Sequence, residues 1–115
     1  MEAFEKLDVW KRSSRLCVEL YKAIESCRDW AFKDQITRAA LSIPSNIAEG
    51  YERDSNKEFA YFLRVAKGSA GELRTQLYVA AEIGLIGRKS TLEMVEEARE
   101  IARMLQGLIK ACAEA

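Results

Sequence analysis

Histidine is missing from all 115 residues of the chain. Its absence removes Ser–His and Cys–His nucleophile pairs and the commonest general base near neutral pH. It also removes the Glu-x-x-His motif of di-iron helical bundles. Proline occurs once and glycine six times. That scarcity argues against disorder and against an all-β fold with its frequent turns. The cysteines, Cys17, Cys27 and Cys112, are odd in number and far apart, with no CxxC pair. Buried, reduced thiols fit them better than a disulfide framework or a zinc site. Lys+Arg and Asp+Glu are equal at 18 each, so bulk charge does not mark a strongly basic nucleic-acid binder. No apolar run approaches the ~18 residues of a membrane span. The opening MEAFEKLDVWKR carries acids and lacks the apolar stretch of a signal peptide. The expectation is a cytoplasmic, non-membrane protein with no metal and no cofactor.

What the chain does have is helical periodicity, over four segments at about 7–27, 31–49, 55–84 and 90–113. In the first, Trp10, Cys17, Leu20, Ile24 and Cys27 recur on one side, with Leu16 and Tyr21 widening the stripe. In the second the stripe is Ile36, Ala40, Ile43 and Ile47, and Gly50 is placed as a C-cap. The third opens on a capping box, Ser55 with Glu58, and continues Phe59, Phe62, Ala66, Ala70, Leu73, Leu77. The fourth opens on a second such box, Ser90 with Glu93. Val95, Ala98, Ala102, Leu105, Ile109 and Cys112 follow, and Leu92, Ile101 and Leu108 widen the stripe. Short links make sequential helices antiparallel. The predicted fold is all-α: one domain, 1–115, an up-down-up-down antiparallel four-helix bundle.

The lone proline, Pro44, lies inside the second helix. It removes one N–H and crowds the carbonyl of Ala40, at a cost of ~3 kcal/mol unless the structure adapts. Ile36, Ala40, Ile43 and Ile47 keep helical phase across it. A single helix kinked at Pro44 is therefore predicted, with Ser42 and Ser45 donating to freed carbonyls.

The same helix carries a polar stripe: Gln35, Arg38, Ser42, Asn46, Glu49 and Arg53. Amides and hydroxyls with single charges suit hydrogen bonding to a defined surface. A solvated face that happens to lack lysine is the plainer alternative. Folding the second helix back on the third brings Arg38 towards Glu72, so a partly buried Arg38–Glu72 ion pair is predicted, or failing that Arg38–Glu49. Gly68 and Gly71 lie in the same zone. Mid-helix glycines cost about 1 kcal/mol each relative to Ala, which points to close approach of another backbone or room for a large side chain.

Arg64, Lys67 and Arg74 share one face of the third helix and are candidate phosphate contacts. In one subunit they read as ordinary solvated surface. Repeated around a ring they would form a basic band for weak, salt-sensitive, sequence-blind binding. Glu93, Glu96, Glu97 and Glu100 suit the N-terminal half of a helix through its dipole. KGSAG lacks P-loop spacing and lies within a helix.

The stretch QITRAALSIPSNIAEG, then Arg53, Ser55, Glu58 and Phe59, then Ala66, Gly68, Ser69, Glu72 and Leu73, closely resembles one known family. It is the four helix bundle family also called the 23S rRNA intervening-sequence protein, or S23, family. The resemblance covers nearly the whole chain. It implies a bacterial four-helix bundle assembled as a homopentamer around a central opening. It brings no catalytic residues, and the family's molecular role is not established. A homo-oligomeric, non-enzymatic protein is the expected function. A nucleic-acid-associated scaffold is the alternative.

Overall fold

The computed structural model describes residues 3–115. A short 3-10 turn, Ala3–Lys6, leads into four helices: α1 (Asp8–Ala23), α2 (Trp30–Tyr51), α3 (Asn56–Glu82) and α4 (Arg88–Glu114). No strand occurs among the described residues. α1 packs on α2 and α4, and α3 packs on the same two helices, while diagonal helices do not meet. This is the expected all-α bundle with sequential neighbours antiparallel, 45 × 23 × 21 Å in extent.

The core is one cluster fed by all four helices. Leu16, Leu20, Ile36, Ile43, Ile47, Leu63, Leu73, Leu77, Ile101 and Leu105 are each less than 2% exposed. Burying a side chain of this size contributes roughly 1.5–3 kcal/mol. The inward stripe of α2 falls where its periodicity puts it, as do Ala66, Ala70, Leu73 and Leu77 of α3; at the start of α3, however, Leu63 takes the inward position, and Phe59 and Phe62 are only half-buried, turned towards Gly50 of α2. Two residues expected to widen stripes do not: Tyr21 and Leu92 are exposed. Each lies at the margin of its apolar stripe, where a smaller or more central neighbour already fills the layer.

α2 runs unbroken through Pro44, which is itself buried. Ser42 does not donate to a freed carbonyl. Its hydroxyl turns to α3 and lies 2.8 Å from Ser69 Oγ.

Helix ends follow local chemistry, with some corrections. Asp29 caps α2 by accepting from the Phe32 N–H at 3.1 Å. Ser55 caps α3 by accepting from the Glu58 N–H at 3.1 Å, and its own hydroxyl donates to the Glu58 carboxylate. Ser90 is no cap: α4 starts two residues earlier, with Gly87 at the N-cap. Thr91 and Met94 follow within the first two turns of α4, and both are buried. α1 stops at Ala23, short of Cys27, which remains buried in the connection to α2.

α3 ends in a Schellman motif. Gly84 has φ +79°, the Leu85 N–H donates to the Ala80 carbonyl, and the Gly84 N–H donates to the Ala81 carbonyl. Gly50 is not a C-cap. It lies within α2 and is buried. A Cβ built there would sit 2.7 Å from Phe62 Cβ and 3.3 Å from the Phe59 carbonyl oxygen. At Gly50, α2 and α3 therefore approach closely, a role set by the partner helix.

Candidate functional site

The polar stripe of α2 borders α3, and its centre is a hydroxyl and amide cluster. Asn46 donates through Nδ2 to the Ser42 carbonyl at 2.8 Å and to Ser42 Oγ at 2.9 Å. Ser42 Oγ in turn meets Ser69 Oγ. All three residues are half-buried. One link across helices is thus supported by an amide one turn further along. Ser69 was not singled out by its chemistry in the sequence. Its signal was position alone, opposite Ser42 in an antiparallel pair.

The predicted Arg38–Glu72 pair is absent, and so is Arg38–Glu49. Arg38 Nε donates to Asp34 Oδ2 at 2.9 Å on its own helix, with 77% of its side chain exposed. An i,i+4 partner needs no ordering of a second helix, so the local pair forms first. Glu72 and Gln35 are exposed. Glu49 pairs with Arg53 at 3.0 Å. Arg53 also reaches Glu58 at 3.6 Å, and its guanidinium lies 4.8 Å from the Phe62 ring centroid. Arg53 therefore straps the α2–α3 turn. Exposed pairs of this kind contribute only ~0.2–1 kcal/mol each, so they orient more than they stabilise.

Gly68 has nothing within 4 Å of a built Cβ. No backbone of the same chain approaches it. At Gly71 the nearest group is Arg74 Nη2, at 4.0 Å, so the space is occupied by a large side chain of the same helix. Arg64 is exposed, and Lys67 donates to Gln106 Oε1 on α4 at 2.6 Å. Arg74 is half-buried, with Nε enclosed and without a hydrogen-bond partner among the described residues. The three cations share the α4-facing side of α3, but only Arg64 is fully offered to solvent with no side-chain bond.

The best-defined charge pair lies elsewhere. Arg12 on α1 holds Glu97 on α4 bidentately, at 2.6 and 2.8 Å. That hydrogen bond holds the Glu97 carboxyl below its usual range, against the opposing effect of burial. The Arg12 guanidinium is raised by the same bond. Burial pushes the Cys17 thiol up, which keeps it neutral and unreactive. All three cysteines are free thiols. No group of three or more metal-ligating side chains converges among the described residues. No described helix is long and apolar enough to cross a membrane.

Fold and face together define a four-helix bundle whose α2–α3 side is organised by hydroxyls, amides and paired charges. Residues 5–107 match the family described as 23S rRNA-intervening sequence protein, so the chain belongs to that family. A similar fold is seen in the crystal structure of a protein of unknown function from the S23 ribosomal protein family of Bacteroides thetaiotaomicron. It shares 25% identity and a TM-score of 0.82, covering 89% of this chain and 98% of that one. No curated protein matches the sequence.

Proposed function

We propose that this chain is a non-enzymatic, cytoplasmic assembly protein that associates with copies of itself, as a pentamer on the strength of the family resemblance. The observation that carries this reading is the amount of large apolar side chain left uncovered. α3 alone exposes Tyr61, Val65, Tyr78, Val79 and Ile83, and Trp30 on α2 is 69% exposed. Scattered surface apolars are ordinary, but a helix lined with them marks an interaction surface. The α2–α3 side adds hydrogen-bonding groups and no lysine between Lys33 and Lys57, a composition suited to an interface. Native mass spectrometry and light scattering at micromolar concentration test this reading. A strictly monomeric state refutes it.

A second reading, a nucleic-acid-associated scaffold, is favoured by the alignment of Arg64, Lys67 and Arg74 on one side of α3. Titration with an RNA hairpin and a single strand at two salt concentrations separates the two. Binding that strengthens at low salt and weakens with charge reversal at Arg64 and Lys67 supports it. No binding at low salt removes it.

A further inference from the structure

The bond from Lys67 Nζ to Gln106 Oε1, 2.6 Å long across 39 residues of sequence, sets the register of α3 against α4. Counting away from it in opposite directions puts Arg74 level with Arg99, and Arg64 level with Lys110 to within one residue. Arg64, Lys67, Gly71, Arg74 and Tyr78 recur at spacings of three and four, so they share one side of α3. Arg99, Arg103, Gln106 and Lys110 share the facing side of α4 by the same rule. These residues form the two banks of one furrow. Arg99 and Arg103 are neutralised by Glu96 and Glu100. Arg64, Lys67, Arg74 and Lys110 have no ion-pair partner among the described residues. The Gln106 amide that Lys67 meets is neutral, so that charge too stays uncompensated. Acids flank the furrow or stand at its ends. Glu93, Glu96, Glu97 and Glu100 line the groove on the other flank of α4, with Arg12 of α1. Glu72 is about 140° around α3 from Lys67 at ~100° per residue. Glu82 is two turns past Arg74, and Glu114 makes no ion pair with Lys110. A chain whose charges sum to zero therefore carries a local excess of cations here.

We infer that the α3–α4 furrow takes the phosphate backbone of a single-stranded nucleic acid, with Tyr78 as a platform for one base. This rests on the second reading given above, and adds the α4 bank, the stacking residue and the kind of strand. Charge selects a polyanion: four cations are uncompensated, and the three on α3 lie within about 15 Å along the axis at 1.5 Å per residue. The floor is open at their centre. A Cβ built on Gly71 would meet only Arg74 Nη2, at 4.0 Å. Arg74 Nε is enclosed and has no hydrogen-bond partner among the described residues, so the guanidinium is held in the furrow wall without an acceptor from its own chain. Shape selects a single strand. Packed helices lie only ~8–10 Å apart, which leaves a channel for one backbone and not for two. No helix or ribbon projects from this side to enter a duplex groove. Tyr78 follows one turn beyond Arg74 on the same side and is 45% exposed. Cations in a row followed by an exposed ring are what a strand with unpaired bases uses, because its phosphates and its base faces are both accessible.

The test is fluorescence anisotropy with a labelled RNA single strand of about eight nucleotides, over a series of salt concentrations, with an RNA hairpin as competitor. Single strands lose ~0.7 in the slope of log K against log salt per phosphate neutralised, so four contacts predict a slope of about −2.8. Lys110→Gln should flatten it to about −2.1, and Arg64→Gln likewise. Lys22→Gln with Arg28→Gln removes two exposed cations at the end of α1 and in its link to α2, and should leave the slope unchanged. Gly71→Leu alters no charge but covers the floor, and should weaken binding at least tenfold. Tyr78→Ala should weaken it at least fivefold, the fold-change equivalent to ~1 kcal/mol for one stacked base. Both positions lie on the surface side of α3, so circular dichroism should match the wild type. Absence of binding to strand and hairpin alike at low salt overturns the nucleic-acid reading itself. Binding that keeps its slope in Lys110→Gln and its strength in Gly71→Leu overturns the furrow while leaving that reading standing. A hairpin that competes as well as the unlabelled single strand overturns the strand assignment.

Discussion

Replacing Gly50 with alanine sets two magnitudes against each other. Glycine in a helix interior is about 1 kcal/mol worse than alanine, so propensity alone predicts a gain. The new Cβ would lie 2.7 Å from Phe62 Cβ and 3.0 Å from Phe59 Cδ1, against the ~3.5–4.0 Å of a relaxed carbon contact. Phe62 Cβ is fixed by its own backbone, and the next obstacle is a carbonyl oxygen. No rotamer change relieves both, so α3 must move away from α2. Overpacking of this kind costs about 1–3 kcal/mol. Subtracting the propensity gain leaves a net loss near 1 kcal/mol. Gly107 is the control: it is helical and has nothing within 4 Å, so Gly107→Ala should realise the full gain. At roughly 4 °C per kcal/mol for a domain of this size, G107A should melt about 4 °C above the wild type and G50A about 4 °C below it. Thermal melts followed by circular dichroism give both values. A G50A protein that melts with G107A would refute the idea that Gly50 sets the helix separation.

Other perturbations read other contacts. Ser69→Ala should cost about 1 kcal/mol in urea denaturation; Ser42→Ala, which also removes the acceptor of Asn46 Nδ2, should cost more, and the double variant little more than Ser42→Ala alone, because the Ser42–Ser69 bond is already broken; fully additive costs would show that the hydroxyls act independently. The Glu97 carboxyl has a lowered folded pKa, so its pairing with Arg12 stabilises the fold above the unfolded value near ~4.3 and is lost as pH falls through the folded value. Glu97→Gln should therefore be less stable than the wild type at neutral pH and show a shallower loss in an acid titration of stability; an unchanged acid slope would exclude this pair as a contributor. Gly84→Ala places a Cβ at φ +79° and should cost about 1–2 kcal/mol by the same denaturation assay, with Gly84→Asn milder.

The helices and their inward stripes were legible because burial repeats with the helical period, and periodicity is a property of one segment. Ser55 was legible as a cap because its partner, Glu58, is three residues away. Gly50 was misread because its meaning comes from Phe59 and Phe62 on another helix. Ser90 was misread because the capping pattern is local, whereas α4 already begins at Arg88 and Ser90 lies inside its first turn. Arg38 went to Asp34 and not Glu72 because a fold-back register locates levels along a helix but not which of several carboxylates a flexible guanidinium meets first. The exposed apolar residues of α3, Tyr61, Val65, Val79 and Ile83, were present in the residue spacing but overlapped the stronger inward stripe, and exposure was needed to separate them. On the polar stripe, Ser42 and Asn46 turn towards α3, whereas Gln35 and Arg38 do not.

The four rods are unequal. At 1.5 Å per residue, α1 spans about 24 Å and α3 and α4 about 40 Å. Leu7, Asp8 and Val9 adjoin Met104 and Leu108, so the last turns of α4 pass beyond the start of α1, where only the Ala3–Lys6 turn stands in for a fourth helix. Cooperative strength should therefore grade along the long axis. Amide exchange should begin where α2 hands over to α3 and where α4 trails off, and reach its slowest rates where all four helices overlap. Any unfolding under load would start at the three-helix end and travel towards the four-helix end.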